Sequence, residues 1–139
     1  MDNFSLHPQL ARDTVPVGDL ALSRVRLMND ANYPWLILVP RLVDVVEIVD
    51  LVENDRHELM REIALASAAL KALTECEKLN VAAIGNIVPQ LHVHIVARRH
   101  SDAAWPKPVW GAVPARPYDP RVRDGFVAAL RKRLGLTAV

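Results

Sequence analysis

The sequence predicts an α+β domain, and three observations carry that expectation. Residues 90–96 alternate in pattern without a break, which is the period of a half-buried strand. Trp35-Leu36-Ile37-Leu38-Val39 is an uninterrupted apolar run between Pro34 and Pro40, as expected of a central strand covered on both faces. Leu59, Ile63, Ala66, Leu70 and Leu73 recur at helical spacing. At 139 residues, 51% apolar and 24% charged, the chain reads as one soluble domain, 1–139. A formal net charge of +1 offers no basic patch for nucleic acid or a membrane surface, and no apolar run approaches a membrane span. The lone Cys76 excludes an intrachain disulfide and fits a reducing compartment. Met1-Asp2-Asn3-Phe4-Ser5 lacks the basic and apolar regions of a signal peptide, so the expected location is the cytoplasm.

Taken in order, His7-Pro8 disfavours helix at His7 and allows a short turn or helix from Pro8. His7 falls on no periodic face and reads as structural or exposed. Thr14-Val15-Pro16-Val17 is strand-like but broken by proline, which favours a sheet edge, and Gly18-Asp19 marks a turn. Residues 20–28 alternate imperfectly and pair with 35–39 as an antiparallel hairpin whose loop carries Asn29, Asp30 and Asn32. Residues 42–52 are β-branched and ambiguous, a connection with a short helical turn or strand. Asp55-x-x-Glu58 matches a capping box opening a helix over about 55–78. His57 lies in its first turn off the apolar stripe, as a solvated residue would. Cys76 near its end reads as a packing residue.

Asn80–Ile84 reads as a strand and Gly85-Asn86 as a tight turn or bulge. Strand 90–98 follows. Between Asp102 and Pro120, repeated prolines with Trp105, Trp110 and Gly111 destroy any periodicity, so an irregular arm is expected. Asp119-Pro120 supplies an N-cap and a first-turn proline for a short helix lined by Phe126, Val127, Leu130 and Leu134 and stopped by Gly135. Arg131, Lys132 and Arg133 suit its C-terminal dipole.

The chemistry lies in Gln90-Leu91-His92-Val93-His94-Ile95-Val96. Leu91, Val93 and Ile95 point to the core, while Gln90, His92, His94 and Val96 share the other face. Alternate side chains stand roughly 6.6 Å apart along a strand, so two imidazoles and an amide project together. The spacing alone also fits partly exposed surface histidines. A metal reading is weak: two His at i, i+2 need further ligands, and no second His/Cys/Asp/Glu cluster lies nearby in sequence.

The stretch resembles the signature of the histidine triad (HIT) superfamily, His-φ-His-φ-His-φ-φ, with Gln90 at the first His. The surroundings agree. A long helix and a short strand ending at Gly85 precede the motif, and Trp35-Leu36-Ile37-Leu38-Val39-Pro40-Arg41 looks like the family's strand ending in Val-Ile-Pro-Lys. Trp105-Pro106 resembles the Trp-Pro of the nucleotide-binding Hint branch. The resemblance spans about 14–106, leaving an arm and helix over about 107–139.

It implies an antiparallel sheet of about five strands with one long helix and a short C-terminal one. It further implies nucleotidyl hydrolysis or transfer at the α-phosphate of a nucleotide conjugate, such as diadenosine tetraphosphate or another dinucleoside polyphosphate, or a nucleoside phosphoramidate. By position His92 is the nucleophile, His94 binds the phosphate and assists the leaving group, and Gln90 keeps only hydrogen bonding. Asn80, Gly85 and Asn86 reach the phosphate region, and Asn29 and Asp30 the ribose. No cofactor or metal is implied, and a homodimer is. Trp105 and Trp110 either pin the arm or line a partner's site. Ile87 stands where relatives often carry a hydroxyl donor. The alternative is a purine-nucleotide-binding module with little or no turnover.

Overall fold

In the computed structural model, residues 3–136 are described. A six-residue helix α1 (Pro8–Asp13) leads into strands β1 (Thr14–Asp19), β2 (Ser23–Met28) and β3 (Trp35–Pro40). A 3₁₀ turn at Ile48–Asp50 precedes the long helix α2 (Glu53–Thr74). Strands β4 (Lys78–Ala82) and β5 (Val93–Arg98) follow, and α3 (Pro120–Leu134) closes the described chain. The strands form one antiparallel sheet in the order β1-β2-β3-β5-β4. The fold is α+β, as the pattern predicts.

Each position in the sheet has a local cause. Pro16 cannot donate to a ladder on both sides, and β1 is an edge strand whose register shifts between Pro16 and Gly18. All six residues of β3 are buried, because both faces of the central sheet are covered. On one face Val25, Leu27, Leu36, Leu38 and Ile95 pack against Ala66 and Leu70 of α2 and Val127 and Leu130 of α3. On the other, Trp35, Ile37, Val39 and Val96 lie beneath Leu10 of α1 and Val88, Ala104 and Val109.

Several boundaries differ from the sequence reading. The long helix starts at Glu53, not Asp55, and its N-cap Val52 makes no side-chain cap bond, so the Asp55–Glu58 box does not form. Capping moves upstream: Glu47 and Asp50 cap the 3₁₀ turn reciprocally, and Leu51 drops into the core as the helix begins. Glu53 and Asp55 then sit in the first turn, where the helix dipole favours them. The helix ends at Thr74, four residues early, because Glu75 takes a left-handed conformation with its N–H on the Lys71 carbonyl. The strand expected over 90–98 joins the sheet only at Val93, and the segment before it does something else.

Two buried charged groups hold the frame. Arg98, 1% exposed, makes a two-pronged ion pair with Asp102 (2.7 and 3.0 Å) and donates to Asn80 Oδ1 at 2.8 Å. Its guanidinium stands beside the Tyr33 and Trp105 rings, and Asp102 also accepts the backbone N–H of Ala104 and Trp105, so the arm is pinned to β5. Glu62 of α2, fully buried, accepts the backbone N–H groups of Leu22 and Ser23 at 2.8 and 2.9 Å and clamps the start of β2 to the helix. An amide offers one accepting oxygen where the carboxylate offers two. Glu62→Gln should therefore lower stability by about 2 kcal/mol or more in urea unfolding, the scale for losing a buried charged hydrogen bond.

Candidate active site

The face that carries the histidines is built by β5 and the segment entering it. His92 precedes the ladder, and its Nδ1 lies 2.7 Å from the carbonyl oxygen of Gln90. A carbonyl only accepts, so Nδ1 carries the proton and Nε2 of the neutral ring presents its lone pair. His94, opposite Ile37 of β3 and Ala82 of β4, receives a hydrogen bond at Nδ1 from Trp35 Nε1 at 3.0 Å. Its Nε2 therefore carries the ring proton. The two histidines hold opposite tautomers, one an acceptor and one a donor toward the cleft. Their rings meet edge to face, with centroids 4.8 Å apart.

Both rings are buried, 6% and 5% exposed. Burial pushes His92 below the ordinary histidine value against the opposing pull of the Gln90 carbonyl, with His7 adding to the depression. Burial, and His92 beside it, push His94 down to about 3. Both are neutral at pH 7.

A cleft of about 340 Å³ opens over them, walled by Gln9, Leu10 and Asp13, by Met28 and Trp35, by Ile84–Val88, and by Trp110. Gly85 turns the loop at φ +67°, a conformation glycine adopts without a Cβ clash, and carries Asn86, Ile87 and Val88 along the cleft. An adjoining cavity of about 430 Å³ shares Asp13, Met28, Trp35 and Trp110 and adds Arg12, Asn29 and Asp30. There Asp30 Oδ1 accepts from Asn32 and from the Arg116 N–H, and Asn29 Oδ1 accepts the Tyr118 N–H, so the arm fixes both loop residues.

His92, His94, Gly85 and Asn86 thus meet at one cleft, and Asn29 and Asp30 line its extension. Asn80 does not join them. It lies opposite Val96, its oxygen is taken by Arg98, and it is not part of either wall. Gln90 turns away as well: its Oε1 accepts the His7 N–H and its Nε2 donates to the Ser5 carbonyl, both at 2.9 Å. His7 itself caps α1 through Nδ1.

Sequence reasoning missed the two indoles. Trp110 meets His94 and Trp35 edge to face at centroid distances of 5.0 and 5.7 Å, lining the cleft of its own chain. Trp105 instead stacks on His100. The place of Trp35 follows from strand parity, since it shares a face with Ile37, the direct neighbour of His94; nothing in the arm's sequence gives the place of Trp110. Among the described residues no group of three or more His, Cys, Asp or Glu side chains is placed to share a metal ion.

The depressed His94 pKa makes stability depend on acidity. Between about 3 and the ordinary 6.5 the unfolded chain binds a proton that the folded chain does not. This contribution is intact above 6.5 and is lost as pH falls from there toward 3, with a slope approaching about 1.4 kcal/mol per pH unit for one group. His94→Gln should flatten that part of the slope in urea melts taken from pH 7 to 4.

Comparison with known proteins agrees with this fold. The HIT domain family model matches residues 10–101. A histidine triad protein from Bradyrhizobium japonicum is 55% identical, with TM-score 0.93 over 94% of this chain and 98% of that one. One from Sinorhizobium meliloti is 45% identical, with TM-score 0.93 over 96% and 98%. A third, from Marinobacter aquaeolei, is 42% identical, with TM-score 0.92 over 95% and 96%. No curated protein matches the chain. With the family model matched over residues 10–101 and these three relatives alike along nearly the whole of both chains, this chain belongs to the HIT domain family.

Proposed function

We propose that the protein is a nucleotidyl hydrolase or transferase that cleaves a nucleotide conjugate at its α-phosphate through a nucleotidyl-His92 intermediate. One observation carries the reading: the Gln90 carbonyl accepts the Nδ1–H of His92, leaving Nε2 as a neutral nucleophile at the cleft. His94 donates its Nε2–H to a phosphate oxygen. The Gly85–Val88 loop brings the backbone close to the phosphate, and Asn86 adds an amide. Asn29 and Asp30, in the adjoining cavity, suit the ribose hydroxyls, and Trp110, Leu10 and Met28 offer apolar surface to a base.

Gln90 stands at the first histidine of the triad and cannot relay a proton, which makes it a supporting residue. A second reading, a nucleotide-binding module without turnover, is favoured by Ile87, which is 80% exposed and gives the loop no hydroxyl donor. Mass spectrometry of the intact protein, acid-quenched after mixing with an adenylated substrate, separates the two. A transient adenylate adduct and AMP release in the wild type, both lost in His92→Ala, are expected. Saturable AMP binding in both proteins with neither adduct nor release would leave only the binding module.

A homodimer belongs to this reading. Strand β4 is a sheet edge, and Val81 on it and Ile84 just after it are 49% and 41% exposed, an apolar edge suited to a second copy. Sedimentation equilibrium should give twice the chain mass, and Val81→Glu should shift the protein toward monomer.

A further inference from the structure

The bond that such a site breaks depends on which protons it can supply. A P–N bond to an amine needs a proton on the departing nitrogen. A phosphoanhydride or an acyl phosphate does not, because phosphate and carboxylate leave as stable anions.

His94 is the ring nearest His92, and it cannot readily become an acid. The indole N–H of Trp35 is donor-only and occupies the Nδ1 lone pair of His94 at 3.0 Å. A second proton would have to enter at Nδ1, against the N–H already aimed there. The groups packed around His94 are the rings of Trp35, Trp110 and His92, with Ala82 opposite on β4. None of these is an anion that would stabilise an imidazolium.

The other protons point elsewhere. The Nδ1 proton of His92 goes to the Gln90 carbonyl, and both amide atoms of Gln90 are engaged by Ser5 and His7. His7 is outside the cleft wall, and the wall's one acidic residue, Asp13, offers carboxylate oxygens, which accept. Arg12 and Asp30 belong to the adjoining cavity.

From this arrangement we infer that Trp35 locks His94 as a neutral Nε2–H donor, and that the site is built for nucleotide conjugates whose leaving group departs as a stable oxyanion, phosphoanhydrides or acyl phosphates, in preference to phosphoramidates. The inference rests on the nucleotidyl-transfer reading above. In the first step the His92 Nε2 lone pair forms the N–P bond while the P–O bond breaks, and its electron pair stays on the departing phosphate or carboxylate oxygen. No proton moves. In the second, water forms a P–O bond as the N–P bond breaks, the pair returns to Nε2, and the water's proton passes to solvent. With a phosphoramidate the first step would expel an amide anion or wait for a proton from bulk water. Burial and the neighbouring His92, which depress the pKa of His94, act in the same direction as that bond. Trp35 is a positioning residue, acting through His94.

The experiment compares the full chain acting on diadenosine tetraphosphate and on an adenosine 5′-N-alkylphosphoramidate, with ¹⁵N NMR of the histidines alongside. The anhydride should be favoured in kcat/KM at pH 7 by about a hundredfold or more, the scale of one general acid. His94 should show a proton-free Nδ1 and a protonated Nε2 down to pH 5. Trp35→Phe, which keeps the ring buried but removes the N–H, should let the His94 proton occupy Nδ1 as well as Nε2 in the ¹⁵N spectra and should raise phosphoramidate cleavage relative to the anhydride at pH 5.5 by about tenfold, part of that same general-acid effect. Equal or faster phosphoramidate cleavage by the wild type overturns the inference, and so does a His94 that titrates normally. The NMR result on the wild type stands even if the variant fails to fold. A locked His94 together with no cleavage of either substrate and no His92 adduct would mean that the nucleotidyl-transfer reading itself has failed, and the substrate preference falls with it.

Discussion

The site depends on one short hydrogen bond between a ring and the backbone two residues before it, from His92 Nδ1 to the carbonyl of Gln90 at 2.7 Å. It fixes the tautomer of His92. It also accounts for the late start of β5, because a carbonyl committed to an imidazole two residues on is not offered to a neighbouring strand. Leu91 donates its N–H to Val45 instead, and the ladder begins at Val93. The unpaired entry to the strand is what allows His92 and His94 to differ, one oriented by backbone and the other by the β3 indole.

Neutrality at His92 and His94 comes from packing. Trp35, Trp110 and the rings themselves exclude water without supplying an anion, so the charged forms lose solvation and gain little in return. The buried charges, Arg98 with Asp102 and Glu62 with two backbone amides, lie where they hold elements together. Each is matched with donors or acceptors, which is the condition under which a buried charge is tolerable.

Much of the fold could be read from periodicity. The apolar run at Trp35–Val39, the proline in β1, the α2 stripe and the Asp119-Pro120 start of α3 each reflect a local constraint that tertiary packing does not override. The α2 start was less legible, because an Asp-x-x-Glu spacing fits a capping box and equally fits acidic residues inside a first turn. In the site, alternation placed His92 and His94 on one face. It could not show that Gln90 would turn to the N-terminal segment, that Arg98 would claim Asn80, or that an aperiodic arm would return Trp110 to the cleft. Those are contacts between residues far apart in sequence, and nothing local encodes them.

The hold that Gln90 keeps on Ser5 and His7 bears on how the cleft is kept shut. Helix α1 has six residues, too few to persist alone in water, yet its Gln9 and Leu10 form part of the cleft wall. That wall is secured by the burial of Leu10 in the apolar layer beneath it and by two hydrogen bonds to a single side-chain amide. Local opening of residues 3–13 would therefore uncover the nucleophile's surroundings while the sheet stays whole. The docking of helix α1 and the dryness of the histidine pair are two aspects of one equilibrium.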